Sequence, residues 1–328
     1  TNWNESQINI SFYNTTKFLP KWKENYKFLI KAYSQCLVDS QSRVDFAFKS
    51  FFKRIKKGDK PGYPRFKGKD QYDSFTYPQS GFSIIENRLK LSKIGNIKIK
   101  IDRPIEAKIK TLTIKRSPTD KWYAAFVCNI DIKLLPKIES IIGIDVGLTS
   151  FATFSNGDKI NNPRFFKTEE IILSKAQKKL SKQEKGSFKK EKSKKIVGRI
   201  HERIANKRKD FAHKESRKII NNNQITILEK LNIKNMQENN IKNLHKSIQD
   251  VAWNQFMNFI TYKAEWAGRT VIFVNPRNTS KLCSQCGQLV EKTLADRVHS
   301  CSCGLIMDRD QNAAINILAL GMQSLAST

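Results

Sequence analysis

The stretch Ile141-Ile-Gly-Ile-Asp145-Val-Gly147-Leu-Thr-Ser-Phe-Ala-Thr-Phe154 constrains the fold more than any other. An apolar run this short, closed by a carboxylate and a glycine, predicts a buried β-strand ending on Asp145. The chain then turns at Gly147 and returns as a second strand. A carboxylate at the end of a buried strand either meets solvent at an ordinary turn or meets a metal ion. One aspartate does not decide between these; further carboxylates delivered to the same place would.

Two later segments meet that requirement. Gln224-Ile-Thr-Ile-Leu-Glu229 is again an apolar strand ending on a carboxylate. A helix follows, with Ile248, Ala252, Phe256, Phe259, Ile260 and Ala267 on its buried side, ended by Gly268. Thr270-Val-Ile-Phe-Val-Asn275 is then a buried strand stopped by Pro276. The second segment, Met307-Asp308-Arg-Asp310-Gln-Asn-Ala-Ala-Ile-Asn-Ile-Leu318, is a short helix with aspartates at its start. Residues two apart on a helix diverge by about 200°, so one of Asp308 and Asp310 faces a given site. The other is free to cap the helix. Three converging carboxylates cannot all stay ionised without cations, and a pair of Mg²⁺ ions resolves the conflict. The order strand, strand, basic helices, strand, helix, strand predicts an α/β domain.

Charge points to the substrate class. Sixty Lys+Arg against thirty Asp+Glu leave a net +30, which calls for a polyanionic partner, nucleic acid first. Residues 171–222 carry 18 Lys+Arg and 5 Asp+Glu. Leu173, Ala176 and Leu180 mark one helix; Ile196, Ile200, Ile204 and Phe211 mark a second, with the turn at Glu184-Lys-Gly-Ser-Phe188. In this basic hairpin Lys189, Lys190, Lys194, Lys195, Arg199, Arg203 and Arg208 are the candidate nucleic-acid contacts; the plainer alternative is a solvated face. No apolar run approaches the ~18 residues of a membrane span, and the start Thr1-Asn-Trp-Asn-Glu5 has no signal-peptide pattern.

Of six cysteines, four cluster, which suits a metal site in a reducing, cytoplasmic setting better than a disulfide framework. Cys283-Ser-Gln-Cys286-Gly287 is a knuckle, and Cys301-Ser-Cys303-Gly304 supplies the other side of a tetrahedral Zn²⁺ site. The second pair is one residue shorter than the common spacing, and His299 is an alternative ligand. Residues 1 to about 58 read as helical. Leu19, Trp22, Tyr26, Leu29 and Ile30 share one face, and Val44, Phe46, Phe48, Phe51 and Phe52 share another, to pack as core or to stack on bases. From about 72 to 134 the period becomes two, predicting a small antiparallel barrel or curled sheet, with Glu86-Asn87 as a hairpin turn.

These segments resemble one family in chain order. Ile-Gly-Ile-Asp145-Val-Gly-Leu, Glu229-Lys-Leu-Asn-Ile-Lys-Asn-Met236, Pro276-Arg-Asn-Thr-Ser-Lys-Leu-Cys-Ser-Gln-Cys-Gly287 and Asp308-Arg-Asp-Gln-Asn-Ala-Ala-Ile-Asn-Ile317 are similar to the TnpB (OrfB) family. These are transposon-encoded RNA-guided nucleases related to type V CRISPR effectors. Further matching stretches are Phe48-Lys-Ser-Phe-Phe-Lys-Arg54, Lys60-Pro-Gly-Tyr-Pro-Arg-Phe66, Asp210-Phe-Ala-His-Lys214 and Tyr262-Lys-Ala-Glu-Trp-Ala-Gly268. The resemblance implies an α/β RuvC-like (RNase H fold) nuclease domain split by insertions, with a zinc ribbon. A helical recognition-like lobe (1–58) and a wedge-like β-barrel (59–138) would precede it. The nuclease parts would be 139–170, 223–280 and 305–328, interrupted by the basic hairpin 171–222 and the ribbon 281–304. The implied catalytic residues are Asp145, Glu229 and, as the Asp of Asp-x-Asn-Ala, Asp310. Implied partners are a guide RNA encoded near the element and a target DNA, with base pairing reading the target. An RNA-guided DNA-binding protein that represses without cleaving is the alternative, and a DNA-joining transposase a third. One departure is the strand that usually opens the wedge barrel, expected before Thr1 and supplied by a longer product or a separate chain.

Overall fold

The computed structural model describes residues 11–68, 71–231, 250–293 and 295–326. The chain forms two compact units, Thr1–Asp131 and Ile132–Thr328.

The first unit begins with helices α1 (Phe12–Lys17) and α2 (Leu19–Asn25), a 3₁₀ turn (Lys27–Lys31) and α3 (Ser34–Lys56). Ser11 caps α1 by accepting a hydrogen bond from the Asn14 amide at 3.3 Å, and Pro20 sits in the first turn of α2. These breaks divide the first predicted stripe, of which only Leu19 is buried. Nor does the second stripe form a core. Helix α3 buries no residue, and Val44, Phe46 and Phe52 are each more than half exposed. Phe48 and Phe51 instead meet Tyr63 edge-on, with ring centroids 5.7 and 5.4 Å apart.

Strands β1 (Ser74–Tyr77), β2 (Phe82–Ile85), β3 (Arg88–Leu91), β4 (Gly95–Lys98), β5 (Lys108–Arg116) and β6 (Trp122–Asn129) follow. They form two three-stranded antiparallel sheets, β1-β5-β6 and β2-β3-β4, where one small barrel or curled sheet was expected. Tyr77, Leu89, Leu91, Leu112 and Ile114 from both sheets share one small core. The Glu86-Asn87 turn is present, with Glu86 in the left-handed region at φ 52°.

The second unit contains β7 (Ile141–Val146), β8 (Ser150–Phe154), β9 (Lys159–Asn161), α4 (Phe165–Ser181) and α5 (Phe188–Asn222). After them come β10 (Ile225–Glu229), α6 (Trp253–Ala267), β11 (Thr270–Val274), β12 (Val298–Ser300), β13 (Ile306–Asp308) and α7 (Arg309–Ala326). The main sheet runs β9-β8-β7-β10-β11. Strand β8 is antiparallel to both β7 and β9, while β10 is parallel to β7 and β11.

Period-two alternation assigns this sheet two different faces. Ile142, Ile144, Val146 and Leu228 join Phe151 and the α5 and α6 residues Ile219, Ile220, Phe256 and Ile260 in the main core. Gly143 and Ile227 point the other way, onto α7, where Ile227 packs with Val274 and Ile317. A Cβ at Gly143 would lie 2.3 Å from the Ala314 carbonyl oxygen, so only glycine lets α7 lie this close to β7. At the end of α6, Gly268 adopts φ 67° and terminates the helix.

The two basic helices pack through Leu173, Ile200 and Ile204. Asp250 ties them to the domain: its Oδ1 accepts from Arg208 Nε at 2.9 Å and Nη2 at 2.7 Å, and the Phe166 amide donates to the same carboxylate. Buried Lys263 of α6 donates to the His213 carbonyl at 2.6 Å and to Ser216 Oγ at 2.7 Å, locking α6 against α5. Burial, with Arg217 adding repulsion, pushes the Lys263 amine down to about 8.

Candidate metal centres

Alternation that puts Gly143 under α7 puts Asp145 on the same face. In the parallel pair, Leu228 is level with Ile144, so Glu229 stands at the level of Asp145 on the neighbouring strand. Neighbouring strands lie about 4.8 Å apart. Helix α7 begins over these two strand ends, with Asp310 in its first turn and Asp308, the last residue of β13, just before it.

Electrostatics records the convergence. Asp145 keeps an edge of solvent contact, yet protein closes around its carboxyl. Burial raises its pKa well above the usual range; Glu229 and then Asp310 add repulsion, Arg309 opposes it, and Asp308 adds a smaller push. Burial also raises Glu229, against a lowering hydrogen bond from Thr279 Oγ1. These two aspartates, Asp308 and Asp310, are used differently. Asp308 Oδ1 accepts from the amides of Asp310 (3.0 Å) and Gln311 (3.1 Å), the geometry of a helix N-cap, and Oδ2 pairs with Lys159 at 2.7 Å. Those bonds outweigh partial burial and hold Asp308 below the usual range. Asp310 is held from the side by Arg309, whose Nε and Nη2 lie 3.2 and 3.1 Å from Oδ1. The donor set is hard and anionic, as Mg²⁺ requires, and mutual repulsion is the cost such cations remove.

The cysteines form a tighter centre. Their donor atoms all lie within 4.8 Å of one another, and among the described residues the carboxylates do not form a group that compact. Cys283 Sγ is 3.6 Å from Cys303 Sγ, and Cys286 Sγ is 3.6 Å from Cys301 Sγ. Tetrahedral Zn–S bonds of about 2.3 Å place sulfurs roughly 3.7–3.8 Å apart, so the four fit zinc. Despite burial, the amides of Cys286 and Gln285, with His299, lower the Cys283 thiol to about 6. Against a lowering hydrogen bond from the Leu305 amide, burial and the neighbouring sulfurs push Cys303 up to about 12. His299 is not one of the four. It is fully buried, and its Nδ1 faces Lys292 Nζ.

The candidate nucleic-acid residues separate on inspection. Lys189, Lys194, Lys195 and Arg199 are exposed, with Lys194 beside Glu191 at 2.5 Å. Lys190 turns inward to the Gln183 carbonyl. Arg203 reaches buried Glu169 at 3.3 Å, and Arg208 is committed to Asp250. The charges of Arg203 and Arg208 are matched by carboxylates on other segments, a pairing that helical spacing alone does not show.

Three further residues stand beside the carboxylates. Thr279, Asn312 and Asn316 are buried polar side chains. Asn312 and Asn316 stand four apart on the apolar face of α7, and a polar pair at that spacing was the available signal. Residues 232–249, which hold part of the stretch after Glu229 and the predicted helix position Ile248, lie outside the described residues.

Fold and sites together define a mixed α/β protein that carries a four-cysteine ribbon beside a cluster of strand-end and helix-start carboxylates. Residues 253–317 match the family model described as "Cas12f1-like, TNB domain", and residues 126–240 the model described as "Probable transposase". The "Putative RNA-guided DNA endonuclease" of Streptomyces pristinaespiralis is 34% identical over 99% of this chain and 81% of its own length. The "Putative RNA-guided DNA endonuclease InsQ" of Escherichia coli K12 is 30% identical over 97% and 82%. A solved Cas12f1-sgRNA-target DNA complex superposes with a TM-score of 0.51 at 20% identity, covering 84% of this chain and 70% of that one, a likeness of fold. The chain belongs to the TnpB family. No helix among the described residues is long and apolar enough to cross a membrane.

Proposed function

We propose that this chain is an RNA-guided DNA endonuclease. Its nuclease domain is RuvC-like, of RNase H fold, with Asp145, Glu229 and Asp310 as the catalytic carboxylates. The observation that carries the reading is that Asp145 and Glu229 end adjacent parallel strands on the face covered by α7, where Asp310 adds to the repulsion on Asp145. The strand order β9-β8-β7-β10-β11, with three antiparallel strands followed by two parallel ones, supports the fold assignment. Asp308 spends its carboxylate on the helix cap and Lys159, which favours Asp310 as the third ligand.

Two Mg²⁺ ions at such a carboxylate set activate a water and stabilise the leaving oxygen in phosphodiester hydrolysis. The chain's own residues supply the rest. Asp145, Glu229 and Asp310 would hold the ions, and Arg309 keeps Asp310 turned toward its neighbours. Zinc on Cys283, Cys286, Cys301 and Cys303 braces the ribbon. A guide RNA encoded near the element and a target DNA are the partners, with the first unit as recognition lobe and wedge. The exposed Lys189, Lys194, Lys195 and Arg199 would lie against a nucleic-acid backbone. Reversing these four should weaken nucleic-acid binding and flatten its salt dependence by about 0.7–0.9 in log–log slope per lost phosphate contact; an unchanged slope returns them to a solvated face.

The test is incubation of the purified ribonucleoprotein, its copurifying RNA sequenced, with a matching DNA and Mg²⁺. Cleavage of the matched DNA supports the reading. Tight, sequence-matched binding without cleavage would replace it with guided repression, a reading disfavoured by the presence of all three carboxylates.

A further inference from the structure

The loop between β11 and the first cysteine knuckle is fastened to α7. Asn316 Nδ2 of α7 donates to the Thr279 carbonyl at 2.8 Å and to the Leu282 carbonyl at 2.7 Å. Asn312 donates to the same Leu282 carbonyl at 2.7 Å, while its Oδ1 accepts from the Ser284 amide at 3.0 Å. Both asparagines are buried, as is Thr279 at 2% exposure. From this fixed backbone the Thr279 hydroxyl donates to Glu229 Oε1, with the Pro276 carbonyl 3.2 Å away as a competing acceptor. The chain of contacts therefore runs from α7, which carries Asp310, through the loop that leads to Cys283, and ends on the carboxylate of Glu229.

Glu229 needs such a partner. Its backbone is fixed by β10, but a glutamate side chain has three torsions, and the sheet does not choose among their settings. A hydroxyl bound to one oxygen selects one setting and leaves the second oxygen available to a cation. Outer-shell hydrogen bonds of this kind orient the ligands of a metal and tune its affinity. We propose that Thr279 is the positioning residue for Glu229, held in place by Asn316. The proposal rests on the nuclease reading above and adds to it a specific role for the ribbon's leading loop.

Thr279→Val keeps the shape and removes the hydroxyl; Thr279→Ser keeps the hydroxyl. Mn²⁺ affinity of the zinc-loaded ribonucleoprotein is measured by calorimetry, and the Mg²⁺ dependence of cleavage is measured beside it. Thr279→Val is expected to weaken Mn²⁺ binding and raise the Mg²⁺ requirement by ~10- to 100-fold. Zinc content, melting temperature and guide-RNA affinity should stay at wild-type values, and Thr279→Ser should recover most of the loss. Wild-type Mn²⁺ affinity and Mg²⁺ dependence in Thr279→Val would overturn the proposal. So would a loss that Thr279→Ser fails to rescue and that comes with a lowered melting temperature, since that describes packing. Failure of the underlying nuclease reading looks different: wild-type protein would bind no Mn²⁺ that Asp145→Ala removes.

Discussion

The two candidate metal centres of this chain are built on opposite plans. The cysteine centre is local: two short turns, fourteen residues apart, bring four sulfurs together, with facing pairs at 3.6 Å. The carboxylate centre is distributed. Asp145, Glu229 and Asp310 are separated by 84 and 81 residues and meet only because two parallel strands and one helix meet. In the first, a bound metal would organise two local turns; in the second, the fold itself brings the carboxylates together. What sets the distributed site is therefore mostly not ligand chemistry. It is the register of β7 with β10, the missing side chain at Gly143 and the hydrogen bonds of Asn312, Asn316 and Thr279.

The difference is open to attack, most forcefully from the cysteine side. Cys283→Ser should abolish zinc binding, taking metal content from about one ion per chain to none. Because structural zinc contributes on the order of 10 kcal/mol to such modules, the ribbon should lose its protection from proteolysis while the main sheet persists. Retained zinc in that variant would mean that His299 can substitute, against its placement here.

A smaller effect is expected from prying the distributed site apart without touching a ligand. Gly143→Ala places a methyl 2.3 Å from the Ala314 carbonyl oxygen and 2.8 Å from Leu318, so α7 must shift. Overpacking of this kind costs about 1–3 kcal/mol. Thermal melting should fall accordingly and cleavage should drop, with zinc content unchanged. Equal loss of zinc would show that the two centres are not independent in this direction.

Smallest, and opposite in sign, is the effect of relieving repulsion. The Asp145 pKa is raised in the folded state, so between its unfolded value near 3.8 and its folded value the native protein holds a proton the unfolded chain has released. Ionising it costs stability as pH rises through the folded pKa, and that cost persists above it. Asp145→Asn cannot ionise there. With zinc bound and no added Mg²⁺, it should be more stable than wild type at pH 7.5 by roughly 1 kcal/mol. The advantage should shrink as pH falls toward the unfolded value. A variant less stable than wild type at pH 7.5 would contradict the electrostatic account.

The same contrast explains what could be read from the sequence. Local features were legible: the hairpin turning at Gly147, the Glu86-Asn87 turn, the helix ended by Gly268, the cysteine knuckles and the helical hairpin between residues 171 and 222. Each depends on neighbours within a few residues, where turn chemistry and periodicity act. Asp145 and Glu229 were visible as strand ends because burial leaves a carboxylate no place except an end. Tertiary pairing was not legible. Arg203 and Arg208 look like the other cations of their helix until Glu169 and Asp250 are placed opposite them. The aromatic stripe of α3 has core periodicity, yet Val44, Phe46 and Phe52 stay exposed, because a period gives a face and not what covers it. Nor did the two small sheets close into a barrel, since alternation does not specify hydrogen-bond closure.

Asp145 is the decisive residue. Wild-type ribonucleoprotein and Asp145→Ala, each loaded with the same guide RNA, would be given matched DNA and Mg²⁺ and their products resolved. The expected result is cleavage by wild type and none by Asp145→Ala at equal RNA and DNA binding. Cleavage by Asp145→Ala at the wild-type rate would contradict it, and would mean that the converging carboxylates serve the fold and not the chemistry.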